Sequence, residues 1–475
     1  MSDVNVGWSP GLLREAERAA AALRRAKEVL IVTHIDADGI TAGAIAAQAL
    51  NRLGKPCTLD FEKKIATETV QMINCSSADM VWVCDLGSAY ISQFTRTGII
   101  VTDHHVPDPG WRQGQTSLDG FSASFHLNPH LWGRSGSTEA SGAGMTYLLA
   151  KTIDPANADL AYLAVIGAVG DFQDTASSQL TGWNRLILQD AVAHGDVVCE
   201  QGLRYFGRET RPLIQFLQYG SEPRISGVTD DRDGCVALLA AFRIPIRMAD
   251  GRLRTWNDLG ADERAVLADD LLSRLPAEKD RQTLFGEVYK LPHFAAGTGL
   301  RDAKEFATIL NSCGRYDDAS TGARLCCGDL TALADAERNR AEHRRNISAA
   351  LSLVKDGHLI RERRYLQWFD VGAAIQETVV GSVAGMLLNA DWVRSDLPII
   401  AFAQADDGIK VSARASRELT DKGLNLAEVM NKAAATVGGM GGGHPVAAGA
   451  TIPPGKEEVF LNVAEDEVAQ QLSRL

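Results

Sequence analysis

Short apolar runs alternate with helix-spaced patterns through the first part of the chain. The run Glu28-Val-Leu-Ile-Val-Thr33 has the continuity of a strand buried on both faces. It breaks into His34-Ile-Asp36-Ala-Asp38-Gly39 before a small-residue helical pattern at 42–50. Further strand patterns fall at 56–61, 78–85, 98–102 and 124–127, with helical spacing at 12–26, 139–152 and 159–169. Strand and helix alternating in this way predict right-handed βαβ units and a mainly parallel sheet. Strand patterns return at 365–371, 397–404 and 408–413, and helical ones follow at 426–434 and 456–472. That end of the chain reads as a smaller α/β domain. A long charged helical pattern, 331–355, precedes it, and residues 195–298 interrupt the first pattern with helical and arginine-rich pieces.

At 475 residues the chain is too long for one ordinary core, so two or three domains are expected. A formal charge of −12 disfavours general coating of duplex nucleic acid, which rests on neutralising phosphates, yet leaves room for a local basic groove. The eight cysteines include no CxxC pair, only the neighbours Cys326-Cys327, and predict neither a zinc ribbon nor a secreted disulfide framework. Cys84, inside an apolar run, is expected in the core. No apolar stretch approaches the ~20 residues of a membrane span. Residues 1–10 lack the charged and apolar regions of a signal peptide, so a cytoplasmic protein with no membrane partner is expected.

Chemistry gathers where the apolar segments end. Ligands collect outside the carboxyl ends of parallel strands, and extended residues two apart point the same way. His34, Asp36 and Asp38 alternate at the first such end; Asp85 follows the next, Asp103-His104-His105 another, and Asp171 the apolar segment 159–169. His34, Asp36, Asp38, Asp85, His104 and Asp171 are enough for two divalent ions. Carboxylate with imidazole suits Mn2+ or Mg2+ better than a thiolate-loving metal. The plain alternative for the first stretch is an Asp- and Gly-rich turn with Asp38 capping the helix. Four separate segments finishing in ligands weigh against it. Near the C-terminus, Val437-Gly-Gly-Met-Gly-Gly-Gly-His444 reads either as an ordinary turn or as a glycine loop that presents bare N–H groups to a phosphate.

In chain order, His34-x-Asp36-x-Asp38-Gly, Asp85, Asp103-His104-His105 and Asp171 resemble the four motifs of the DHH phosphoesterase superfamily. Ser141-Gly-Ala-Gly-Met145, Asn184-Arg185, Asn311-Ser-Cys-Gly-Arg315, Ser412-Ala-Arg414-Ala-Ser416 and Gly441-Gly-Gly-His444-Pro-Val-Ala-Ala-Gly449 look like segments of RecJ-type single-strand exonucleases. The resemblance implies an α/β fold: a parallel-sheet DHH catalytic domain and a smaller α/β C-terminal domain joined by a long helix, with an inserted domain. The implied boundaries are 1–194 for the catalytic domain, 195–300 for the insertion, 301–330 for a return to the core, 331–358 for the connecting helix and 359–475 for the substrate-binding domain.

It also implies hydrolysis of phosphodiester bonds in single-stranded DNA or RNA with two divalent ions, Mn2+ or Mg2+. By analogy, His34, Asp36 and Asp85 hold one ion, and Asp38, Asp85, His104 and Asp171 the other. His105 is expected beside the scissile phosphate and Asp103 as the carboxylate that orients a histidine. Ser412, Arg414, Gly442, Gly443 and His444 are expected on substrate phosphates, with Arg315 as a further backbone contact.

Two features depart from bacterial RecJ. His34 stands where that group typically carries Asp, which makes the match closer to the archaeal RecJ-like branch, and 195–298 has no alignable counterpart. In archaeal relatives such an insertion is associated with replisome contact, so a partner such as GINS is an expectation for it. Arg204, Arg208, Arg211, Arg243, Arg247, Arg252 and Arg254 either meet a strand or partner there or solvate a surface. Arg338, Arg340, Arg344 and Arg345 on the connecting helix pose the same choice. Rival readings are a phosphodiesterase for short oligoribonucleotides (nanoRNase-like) or cyclic dinucleotides, a replisome scaffold without catalysis, and a manganese pyrophosphatase. Relatives of the first kind usually lack the insertion and the 311–315 segment. A scaffold should show eroded ligands, whereas every expected position is filled. The pyrophosphatase reading leaves the downstream segments unexplained.

Overall fold

The computed structural model describes residues 7–110, 124–390 and 392–473. Residues 1–6, part of the segment read above for a signal peptide, lie outside them. The chain divides into two units, Met1–Arg340 and Ala341–Leu475.

The first unit opens with α1 (Pro10–Arg25), β1 (Val29–His34), α2 (Ala37–Arg52), β2 (Cys57–Glu62), α3 (Thr67–Cys75), β3 (Met80–Cys84), β4 (Ile99–Thr102) and β5 (Ser124–Leu127). The five strands form one sheet in the order β2-β1-β3-β4-β5, with every neighbouring pair parallel. β3 and β4 are buried along their whole length, as unbroken apolar runs require. At the edge, β2 alternates between exposed and half-buried positions. Next come α4 (Gly142–Ile153), α5 (Ala161–Gly170) and α6 (Gly182–His194). α2 packs against both α4 and α5, and its buried Ala42, Ala46 and Ala49 keep that contact close. α4 begins at Gly142, later than its periodicity suggests, because Ser141 caps it: the Ser141 hydroxyl accepts from Gly144 N–H at 3.1 Å.

The insertion follows as β6 (Val198–Leu203), α7 (Leu213–Gln218), α8 (Arg232–Ala241), α9 (Ala261–Ser273), α10 (Glu278–Leu284) and β7 (Phe285–Lys290). β6 and β7 pair antiparallel, with Leu203 opposite Phe285. Between them Leu213, Phe216, Trp256, Leu267 and Leu271 build a separate core. That core is narrower than the expected 195–300 segment, because Tyr289, Leu291, Phe294 and Leu300 pack into the core of the five-stranded sheet. Several of the arginines here are internal rather than a solvated face. Arg204, Arg208 and Arg254 are buried and pair with Asp174, Glu200 and Glu263, while Arg252 joins Asp258; Arg243 and Arg247 are exposed.

α11 (Ala303–Arg315) and α12 (Ala319–Cys326) return to the core of the five-stranded sheet, and α13 (Leu333–Asp356) runs across the division between units. Within α13, Arg340 is largely buried beside Glu337 and Arg338 is exposed.

The second unit contains β8 (Arg361–Glu362), β9 (Gln367–Asp370), α14 (Glu377–Leu388), β10 (Ile399–Ala405), β11 (Gly408–Arg414), α15 (Arg417–Asp421), α16 (Leu426–Thr436), β12 (Met440–Gly443), β13 (Ala447–Ile452) and α17 (Glu457–Leu472). Its sheet runs β12-β13-β11-β10-β9-β8, antiparallel except for β9 with β10. One apolar cluster joins the sheet to α16 and α17, another to α13 and α14. The glycine stretch is an edge strand rather than a free loop. Met440 to Gly443 pair with Thr451 to Ala448, and a Cβ at Gly441 would lie 2.4 Å from the Met430 carbonyl of α16. Among the described residues no helix is long and apolar enough to cross a membrane.

Trp256 is 2% exposed and stacks on Phe216 with ring centroids 5.3 Å apart. Trp256→Ala is expected to destabilise the insertion by about 3–5 kcal/mol, read as a lower midpoint in urea denaturation.

Candidate metal centre

The turn from β1 into α2 places three of the expected ligands. Asp36, rather than Asp38, is the cap of α2, and its carboxylate accepts from Gly39 N–H at 2.9 Å. Only glycine fits at 39, since a Cβ there would sit 2.3 Å from the His34 carbonyl oxygen. Asp38 instead points across to α4, where it accepts from Gly142 N–H at 2.7 Å and Ala143 N–H at 3.1 Å. A helix N-terminus is suited to hold a buried carboxylate in this way.

Asp85 follows β3 in a left-handed conformation, φ +58°, a rare state for a non-glycine residue and one that collects at functional positions. A Cβ at Gly142 would lie 2.4 Å from its Oδ1, so the bare start of α4 makes room for it. His104, beyond β4, donates Nδ1–H to the Gly136 carbonyl at 2.6 Å, which leaves Nε2 for the carboxylates. Asp171 lies at the end of α5.

All six expected ligands meet. His34 Nδ1 lies 3.0 Å from Asp36 Oδ2 and 3.6 Å from Asp85 Oδ2. His104 Nε2 lies 3.3 Å from Asp85 Oδ1, 3.7 Å from Asp171 Oδ2 and 3.8 Å from Asp38 Oδ2. Two sets of ligand atoms, His34/Asp36/Asp85 and Asp38/His104/Asp171, each fall within 4.8 Å of one another.

The electrostatics of the cluster are those of a cation site. His34 Nδ1 and Asp85 Oδ1 are buried without a hydrogen-bond partner, because their charged neighbours are close but misaligned. Burial opposes charge on His34 and His104, yet the surrounding carboxylates outweigh it and raise both well above the usual histidine range. Burial, then Asp85, raises Asp38 well above the carboxylate range; burial also raises Asp171, against the pull of His104. Burial pushes the nearby Cys84 thiol up to about 12, so no thiolate is on offer. Hard oxygen and imidazole donors, crowded and partly unanswered, fit a divalent ion such as Mn2+ or Mg2+.

Asp103 is fully buried and accepts from Ser88 N–H at 2.9 Å, His104 N–H at 2.7 Å and His105 Nδ1–H at 2.8 Å. Burial alone would raise Asp103, but His105 overcomes it and holds the carboxyl far below its usual range. The His105 side chain is 47% exposed. Asn311 accepts from Ala37 N–H at 2.9 Å, and Arg315 lies close enough to Asp36 for their charges to interact. Sequence reasoning missed Gln173, whose amide donates to the Gly136 carbonyl at 2.8 Å and to Asp171 Oδ2 at 3.0 Å, while its own oxygen accepts from Asn184 at 2.6 Å. Its position two residues after Asp171 was the available signal.

In the second unit, strand register aligns Ser412 with Gly449 and Gly449 with Gly442, while Arg414 faces Ala447. Gly443 has φ +134°, and His444 closes the β12–β13 hairpin through backbone bonds to Ala447 of 2.9 and 3.2 Å. A Cβ at Gly381 of α14 would lie 2.7 Å from Arg414 Nη2 and 3.2 Å from Ser412 Oγ.

The DHH family N-terminal domain matches residues 28–167, the DHH-CID domain 205–281 and the DHHA1 domain 365–470. An uncharacterised protein of Methanocaldococcus jannaschii is 26% identical over 97% of this chain and 99% of its own length. The single-stranded-DNA-specific exonuclease RecJ of Thermus thermophilus is 28% identical over 59% of this chain and 38% of its own length. Among solved structures, RecJ of Thermus thermophilus in complex with Mn2+ aligns at TM-score 0.59 and 19% identity over 98% of this chain and 56% of that one. CDC45 of Entamoeba histolytica aligns at TM-score 0.61 and 12% identity over 97% of each chain. The parallel sheet and the residues matched by the three family domains define an α/β protein of the DHH class. The chain belongs to the DHH superfamily and is RecJ-like, with DHH, DHH-CID and DHHA1 domains in that order.

Gln173→Ala is expected to weaken Mn2+ binding by about 10–100-fold in calorimetric titration, with an unchanged far-UV circular dichroism spectrum.

Proposed function

We propose that this protein is a metal-dependent exonuclease that hydrolyses phosphodiester bonds of single-stranded DNA or RNA. The observation that carries the reading is the convergence of His34, Asp36, Asp38, Asp85, His104 and Asp171 in a cluster with unpartnered buried atoms on His34 and Asp85. His34, Asp36 and Asp85 would hold one divalent ion, and Asp38, Asp85, His104 and Asp171 a second, with Asp85 common to both. Divalent ions in such a site supply Lewis-acid stabilisation for phosphoryl displacement. Support comes from a relative named as a single-stranded-DNA-specific exonuclease and from a RecJ structure in complex with Mn2+.

The chain's own groups orient and bind. The α4 N-terminus fixes Asp38, and the Gly136 carbonyl fixes the His104 ring. His105, with Nδ1 committed to Asp103, would use Nε2 as a donor to a non-bridging oxygen of the scissile phosphate or to the leaving oxygen. Ser412, Arg414, Gly442, Gly443 and His444 would bind phosphates beyond the one being cut, which favours a strand over an isolated phosphate ester. Arg315 would add a backbone contact. The insertion is proposed as the contact for a protein partner, a replisome component such as GINS. The likeness to the CDC45 fold favours a second reading, a non-catalytic scaffold, against which the complete ligand set stands.

End-labelled single-stranded DNA and RNA, with either end blocked, separate these readings. Progressive shortening in Mn2+, stopped by EDTA and restored by added Mn2+, is the expected result; no digestion of any substrate would leave the scaffold. Asp85→Ala should abolish turnover without loss of fold, and His105→Ala should slow it by about 100-fold or more. Arg414→Ala should weaken binding of long strands in a filter assay while barely changing cleavage of a dinucleotide; equal losses on both would remove the second unit from substrate binding.

A further inference from the structure

Away from the metal cluster, the seam between the insertion and the catalytic core contains a cavity. It is small and half open to solvent, and is lined by Arg204, Arg208, Lys304, Asp174, Glu287 and Asp302, among others. Arg208 is 2% exposed. Its Nη2 donates to Glu200 at 3.0 Å, but Nε and Nη1 are buried without any hydrogen-bond partner. The nearest carboxylate, Asp302 Oδ2, stands 3.8 Å from Nη1, beyond hydrogen-bond reach. Buried guanidinium N–H groups left unanswered are costly, and native structures answer them with a partner, a water or a ligand.

The charges around the cavity select the ligand's sign. Asp174 is neutralised by Arg204 at 2.8 Å, and Glu287 by Arg185 through two bonds of 2.9 Å. Lys290 serves Glu200 at 2.6 Å. Arg208, bonded on one side to Glu200, and Lys304, whose Nζ donates to the Arg204 carbonyl at 3.1 Å, then share Asp302, one oxygen of which is already engaged by the N–H groups of Lys304 and Glu305 at the start of α11. Arginine and lysine converging with spare donors match a tetrahedral oxoanion. A neutral water can accept a hydrogen bond from Arg208 but leaves the excess positive charge standing.

We propose that this seam is a binding site for a phosphate group, anchored by Arg208 and assisted by Lys304, and separate from the metal cluster. The phosphate is either free or carried on a nucleotide whose remainder occupies the mouth. Asp174 follows Asp171 by three residues, and Val169, also in the lining, precedes it by two. The pocket therefore backs onto the turn that carries a candidate metal ligand. The site does not depend on the nuclease reading, since its test involves neither metal nor turnover.

The experiment titrates inorganic phosphate into the full chain in EDTA, against chloride at matched ionic strength, by calorimetry and by thermal unfolding. Saturable phosphate binding and a phosphate-dependent rise in Tm are expected. Arg208→Gln and Lys304→Met should each weaken that binding by about tenfold or more, as loss of a charged hydrogen bond does. If Arg208→Gln does not fold, the partly exposed Lys304 carries the same comparison. Repeating the titration with a nucleoside monophosphate distinguishes the sources: competition with phosphate identifies a nucleotide-admitting mouth, and its absence a site for the free ion. No response in the parent protein, or a response that survives both substitutions, overturns the proposal.

Discussion

Three buried or half-buried carboxylates crowd around Asp85, and that repulsion is the constraint to which the sheet's carboxyl end answers. Like charges this close raise one another's proton affinity unless positive charge intervenes. The fold brings in what it has: the imidazoles of His34 and His104, and the N–H groups at the start of α4. These do not satisfy every atom, as His34 Nδ1 and Asp85 Oδ1 attest. The left-handed backbone at Asp85 and the bare Gly142 beside it are local departures that let the carboxylates converge. A cluster held in this way is unfavourable on its own, and a cation of matching hardness would offset the repulsion, which is why its donor chemistry carries the functional reading.

Much of this was legible in the chain. β1, β3 and β4 announce themselves because burial on both faces demands unbroken apolar runs, and the candidate ligands stand out because they end such runs. What stayed hidden depended on contacts remote in sequence. Whether Asp36 or Asp38 caps α2 turns on backbone angles that neither residue's identity dictates. Gln173 and the Gly136 carbonyl act through a meeting of segments more than thirty positions apart. Glycines 441–443 have no strand preference of their own, and pairing with β13 overrides that. Arg204, Arg208 and Arg254 look like surface charge until Asp174, Glu200 and Glu263 are found beside them.

The two units use glycine for opposite ends. In the first, glycine brings backbone close to carboxylates so that ligands converge. In the second, Gly441 lets an edge strand lie against α16, while Gly381 leaves space where Arg414 and Ser412 sit. Both are cases in which the missing side chain is the structural contribution.

The paired stems β6 and β7 carry one more implication. Because the insertion leaves and re-enters through neighbouring residues, Leu203 beside Phe285, its two ends are a single ladder rung apart. An excursion hinged at one point can be lengthened, trimmed or exchanged over evolutionary time without rerouting the polypeptide that builds the five-stranded parallel sheet. The insertion can thus change in length or content while the strand ends that carry the carboxylate and imidazole cluster keep their positions.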